Sequence, residues 1–324
     1  MNKLFKGGAL LLAIVAGLAG PAIAQTYPDR TIQVIVPYAP GGQGDITARL
    51  IAEQLSPALG QPVVVENRPG ANGSIGSTFV ARADPDGYTL EVVVQSHVLG
   101  KALMPNLSYD PVQSFEPISL LARTQVGLVV PATLPVNTLA EFVAYVKERP
   151  GQLGFASAGI GSNVHIFSEW FLDMAGLDMV HAPYAGSAKA HPDLISGVAT
   201  MAFDTLPSVS ALVREGRLKL LAVGGTERSP EFPDIPTVAE SGYADYNAGS
   251  WSAMLAPAGT PQEIIDMLNA EVVKILNKPE VAERLTKLGA VVVASSPEEA
   301  RVAIEREGKV FGELIGRLGI KVGQ

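Results

Sequence analysis

IQVIVPYAPGGQGDITARLIAEQLSPALGQPVVVENRPGANGSIG, residues 32–76, is the stretch that decides the fold. The apolar run Ile32 to Val36 enters a loop of breakers, Pro37-Tyr38-Ala39-Pro40-Gly41-Gly42-Gln43-Gly44. Asp45 then heads a run with helical spacing (Ile46, Leu50, Ile51, Leu55), and Val63 to Val65 is a second apolar run. The pattern reads as strand, loop, helix, strand. Gly41, Gly42 and Gly44 carry no Cβ, so another group can approach their backbone closely. The first N–H groups of the helix behind them have no intrahelical acceptor and suit an anion.

Upstream, Lys3 and Lys6 precede the apolar run Ala9 to Leu18, and Ala22-Ile23-Ala24 offers an A-x-A cleavage signal before Gln25. Residues 1–24 therefore read as a secretory signal peptide, its apolar run too short to span a membrane. No cysteine follows it to carry a lipid, so a freely soluble protein of a bacterial periplasm is expected. A disulfide-free chain in an oxidising compartment must be held by its core alone. Roughly 300 residues remain after cleavage, enough for two domains. Removing the two leader lysines takes the formal net charge from −8 to −10. Such an acidic surface argues against nucleic acid and anionic lipid as partners. Capture of an anion must then rely on local donors.

Downstream, a short helix is expected over 77–83, a strand over 88–94 ending in Gln95-Ser96-His97, and two separate strands over 115–123 and 127–130. A second unit of similar grammar begins at Thr138. It has a helix to Pro150-Gly151, a strand over 153–156, the loop Ser157 to Asn163, and a helix carrying His165, Glu169 and Trp170. Strands over 179–183, 199–204 and 218–224 alternate with helices, and Tyr184-Ala185-Gly186-Ser187 follows the first of them. The chain closes with a strand over 250–256, helices over 261–276 and 279–288, a strand over 291–294 and a helix over 297–318. Alternation of strand and helix implies parallel or mixed sheets covered by helices. Strand, glycine loop and helix recur near 36–45 and 156–165, which suggests two lobes whose loops face each other across a cleft. Trp251 suits either the core or the cleft. Glu298-Glu299 and Glu305-Arg306-Glu307 read as a solvated helix face.

The glycine loops admit several chemistries. Gly42, Gly44 and Glu66 mimic a dinucleotide-binding unit, but Thr47 stands where its third glycine belongs. A Walker phosphate loop is excluded, since no glycine precedes Lys-Ser or Lys-Thr. Ser157 and Ser162 each sit in a broken nucleophile-elbow pattern, which leaves an exported serine hydrolase as the alternative from the enzyme class. His97, His165, His181 and His191 are not in metal-site spacing, so no metal and no cofactor are expected. A carboxylate withdrawn from water costs several kcal/mol. Each hydrogen bond to it returns roughly 1.5–3 kcal/mol, and a helix N terminus about 0.3–1 more. Converging N–H and O–H groups at strand ends can therefore hold one carboxylate, with Ser157, Ser162, Asn163, Tyr184, Ser187 and Thr205 available to do so.

At this point the chain resembles the Bug (TctC-like) receptors, the extracytoplasmic solute-binding proteins of tripartite tricarboxylate transporters. The resemblance rests on ordered matches along the mature chain. They are Tyr27-Pro28-Asp29-Arg30, Val36 to Gly42 with Asp45 and Ala48-Arg49, and Val65 to Ala71. Gly161-Ser162 with His165 and Glu169, Pro183-Tyr184 with Gly186, and Phe203-Asp204 follow. Pro236-Thr237 with Glu240-Ser241-Gly242, and Ala256 to Pro261, complete the set. It implies an α/β, two-lobed periplasmic-binding-protein fold, with mostly parallel or mixed sheets flanked by helices and a ligand cleft between the lobes. Residues 25–127 would form the first lobe, 128–249 the second, and 250–324 a return to the first. The ligand-binding residues it implies are Tyr38, Pro40, Gly41, Gly42, Gly44 and Asp45 in the first lobe. In the second they are Ser157, Ala158, Gly161, Ser162, Asn163, His165, Tyr184, Gly186, Ser187 and Asp204, the last bridging water or holding loop donors. Ala185 stands where the family commonly has lysine, and Gly100-Lys101 where it often has Asn-Pro after Ser96-His97. The implied function is non-enzymatic capture of a small organic carboxylate by a monomer and its delivery to membrane transporter subunits, or to a signalling system.

Overall fold

The computed structural model describes residues 27–38, 40–104, 106–287 and 289–320; the leader expected over 1–24 lies outside them. The opening stretch folds as β1 (Ile32–Val36), α1 (Gln43–Leu59) and β2 (Val63–Asn67), with β1 and β2 parallel. Next come α2 (Ser74–Ala81), β3 (Thr89–Val94) and α3 (Ser96–Leu103). The sequence showed no helix at α3.

The two strands expected over 115–123 and 127–130 are one strand, β4 (Phe115–Pro131). The polar residues Thr124 and Gln125 break the apolar run in the sequence, yet both pair with neighbouring strands. Gly127 lets β4 continue because a Cβ there would sit 2.3 Å from the Leu220 side chain. Beyond it lie α4 (Leu139–Lys147), β5 (Gly154–Ser157), α5 (Asn163–Ala175), β6 (Val180–Pro183) and α6 (Ser187–Ser196). Then follow β7 (Met201–Thr205), α7 (Leu206–Arg214), β8 (Leu218–Val223) and β9 (Gly249–Pro257). The chain closes with α8 (Gln262–Leu276), α9 (Pro279–Lys287), β10 (Ala290–Val292) and α10 (Pro297–Leu318).

The mixed sheet runs β2-β1-β3-β9-β4-β7-β5-β6, with β8 and β10 also on β4. The N-terminal part of β4 pairs with β9 and β10 in one half of the sheet, and its C-terminal part with β7 and β8 in the other. The changeover falls between Thr124, opposite Ser250 and Ala290, and Val126, opposite Thr205. Three apolar clusters fill the molecule. One lies between the first half and α1, α8 and α9, and one between the second half and α6 and α7. The largest includes residues of both halves together with α10.

α10 spans the halves on that side. Phe311 packs edge-on to Trp170 and beside Phe167, and Arg317 pairs with Asp173 of α5 at 2.6 Å. Glu307 departs from the solvated face expected for it. It accepts from Trp251 Nε1 at 2.5 Å and from Gln95 Nε2 at 3.0 Å. Trp251 itself is core, 1% exposed. Among the described residues no helix is long and apolar enough to cross a membrane.

Candidate functional site

The loop after β1 is shaped by its glycines and by Asp45 beneath them. Gly41 has φ +85°, where a side chain would be strained, and Gly44 packs so that a Cβ would lie 3.3 Å from the Tyr38 ring. Tyr38 is anchored in turn, its hydroxyl accepting from Val94 N and Ser96 Oγ, each at 3.3 Å. Pro40, Gly41 and Gly42 are exposed. Asp45 is buried beneath them. Its carboxylate accepts from Gly41 N at 2.9 Å, Arg49 Nε at 3.0 Å and Asn67 Nδ2 at 2.9 Å. Burial pushes its pKa up, but these hydrogen bonds outweigh it and hold the group below the usual carboxylate range. Asp45 thus ties the loop to Arg49 of α1 and to Asn67 of β2. The α1 N-cap, Gly42, supplies no side-chain cap, so the first N–H groups of α1 stay available.

The second-half residues form one connected chain of contacts. Tyr184 N donates to Ser157 O at 3.1 Å and Gly186 N to Ala158 O at 3.3 Å, zipping the two loops together. Ser187 Oγ donates to Asp204 Oδ1 at 2.9 Å, His191 Nε2 lies 2.9 Å from Oδ2, and Thr205 N donates to Oδ1 at 2.7 Å. Asp204 thus holds the α6 and α7 N termini side by side. Tyr184 is tied off through its hydroxyl to Asp193 Oδ2 at 2.7 Å.

The loop at 157–163 is largely self-satisfied. Ser162 caps α5 by accepting from His165 N, and it donates to Gly159 O at 2.8 Å. Asn163 Oδ1 accepts from Val164 N, and Gly161 N donates to His165 Nδ1 at 3.1 Å. In that bond His165 Nδ1 is the acceptor, and its Nε2 lies 3.5 Å from Glu169 Oε1. His165 stacks on His181, ring centroids 3.9 Å apart. His181 Nε2 lies 2.7 Å from Ser157 Oγ. Burial first, and then the neighbouring His165, push the His181 pKa down to about 4 against the pull of Glu169.

One cavity of about 920 Å³ joins the halves. Gly41, Gly42, Gln43 and Ile46 line it from the first half, and Thr205, Pro207 and Ser208 from the second, with Thr124 of β4 between them. The α7 N-cap, Thr205, supplies no side-chain cap either. Two helix N termini from opposite halves therefore open on one space, an arrangement suited to an anion. Of the candidate site residues named from the sequence, Gly41, Gly42 and Thr205 line this cavity and Asp204 adjoins it. Ser157 to Asn163 do not line it. Gln43, Ile46 and Thr124 were missed: Gln43 reads as one more loop residue, and Thr124 as a gap between strands. Among the described residues no group of three or more His, Cys, Asp or Glu is placed to hold a metal.

Comparison with known proteins places this geometry. Protein BugT of Bordetella pertussis is 38% identical over 320 residues, covering 96% of this chain and 98% of its own. A Rhodopseudomonas palustris protein solved with adipate superposes with a TM-score of 0.79 at 33% identity, covering 91% of this chain and 100% of that one. MatC from the same organism, solved with bound malate, gives a TM-score of 0.76 at 34% identity over 89% of this chain and 100% of its own. The architecture is the two-lobed α/β fold of periplasmic binding proteins. Residues 47–320 match the tripartite tricarboxylate transporter family receptor, TctC. The chain belongs to that family of solute-binding receptors.

Proposed function

We propose that this protein captures a small organic carboxylate between its two lobes and delivers it to the membrane subunits of a tripartite transporter. The observation that carries the reading is the pair of uncapped N termini, α1 and α7, opening on one cavity from opposite halves of the sheet. Relatives holding adipate and malate support a carboxylate as the ligand class. In this reading residues 25–127 and 250–324 form one lobe and 128–249 the other. The free N–H groups at the start of α1, behind Gly42, present donors from one lobe, and Thr205 and Ser208 face them from the other. The protein acts as a monomer in the periplasm after cleavage near Ala24, without cofactor or nucleic acid.

Ser157 and His181 supply a contact that favours the hydrolase alternative. Three features oppose it. Ser157 is 3% exposed, a ring with a pKa near 4 is a poor base at neutral pH, and the nearby carboxylate Glu169 addresses His165 instead. A thermal-shift panel of mono- and dicarboxylates, with each acid and its ester recovered and assayed, separates the readings. A raised Tm with unchanged ligand is expected; turnover of an ester overturns the receptor reading.

A further inference from the structure

Gln43 holds a place that capture alone does not require. As the first residue of α1 it lines the cavity beside Gly42, yet its carboxamide turns to the strands joining the two halves. Its Nε2 donates to Thr124 Oγ1 at 2.8 Å, and its Oε1 accepts from Ser250 Oγ at 3.2 Å. Thr124 and Ser250 are direct partners across β4 and β9, both buried, at the last pairings before β4 leaves the first half. A single side chain thus spans both crossover strands where the sheet changes hands. The bridge ties the α1 N terminus to β4 and β9 two residues before β4 enters the second half at Val126, so a bend at that junction has a direct path to the cavity.

We propose that Gln43 is a positioning residue that couples capture of the carboxylate at the α1 N terminus to the angle between the lobes. The inference rests on the receptor reading above. Ser250 makes the decisive test because it does not line the cavity and its hydroxyl donates to Gln43. Malate, adipate and benzoate serve as probes. For whichever binds the unmodified protein, Ser250→Ala and Gln43→Ala are each expected to weaken binding roughly two- to tenfold, the range of one hydrogen bond. The double variant is expected to be no worse than Gln43→Ala alone, since both act through one link. A role confined to stability would lower Tm and leave the dissociation constant unmoved, and that result overturns the proposal.

The chain has no cysteine, so Ala58→Cys with Ala144→Cys gives a clean label pair, with one exposed site on each half. In the ligand-free protein both single variants are expected to broaden the distance distribution between these labels. An unchanged distribution overturns the coupling by itself. If none of the three acids binds the unmodified protein, the carboxylate reading loses its support, and the label distances still decide the role of Gln43.

Discussion

Glu91 has no exposed surface, and one of its oxygens accepts from Ser77 Oγ at 2.5 Å while the other has no hydrogen-bond partner among the described residues. Burial pushes its pKa up to about 8, against the smaller lowering effect of Ser77. The folded state therefore keeps a proton that the unfolded chain releases near 4.5, and stability falls as pH rises between those values. His97 and His181 have the opposite sign. Their folded pKa is near 4 against an ordinary 6.5, chiefly through burial, so stability falls as pH drops from 6.5 toward 4. Above pH 6.5 the Glu91 effect is alone among these three. Urea unfolding should show stability declining there by about 1.4 kcal/mol per pH unit, and Glu91→Gln should flatten that decline. An unaltered slope would place the ionisation elsewhere. Asp45→Asn tests the loop directly. Three hydrogen bonds to a buried carboxylate are weakened, and a loss of about 2 kcal/mol in urea unfolding is expected, with weaker carboxylate binding as the loop loosens. Asp45 was legible near the start of α1 from its place in the motif. Its task was not, because only coordinates show that Gly41, Arg49 and Asn67 all converge on it.

At the level of elements, legibility followed local chemistry. α10 begins and ends where the sequence places it, because Ser296 and Glu299 form a reciprocal capping box and Gly319 closes the helix in the left-handed region. β4 was misread because its continuity is set by partners far away in sequence, Leu218 to Val223 and Gly249 to Pro257. Glu307 was misread for the same reason, since its partners Gln95 and Trp251 lie on other elements. α5 offers a test of a local device. Ser162→Ala removes the cap at its N terminus and should cost about 1 kcal/mol, seen as a lowered urea midpoint. Because Ser162 also donates to Gly159 O, the same change should loosen the 157–161 turn. Faster amide exchange at Gly159 and Gly161, with α4 unaffected, is the expected signature. Uniform exchange would show that the turn is held by the His165 and His181 stack instead.

For the whole molecule, α10 fixes one side of the junction while the cavity lies toward α7 and α9. Closure is thus expected as a hinge about β4 and β9, with the cavity side shutting. X-ray scattering should show a smaller radius of gyration with bound carboxylate. Ligand at a hundred times its dissociation constant should raise unfolding stability by about 2.7 kcal/mol. Compaction without stabilisation, or the reverse, would separate closure from binding. The seventeen residues of β4 carry one more consequence. Side chains alternate faces along a strand, so deleting one residue between Thr124 and Val126 would turn every later position of β4 inside out against β7 and β8, while its earlier part kept its place. Cutting the strand there instead would leave each half with an open flank where its neighbour had been. The halves are therefore like two pages sharing a spine: each takes a strand from the same seventeen residues, and neither closes its sheet without them.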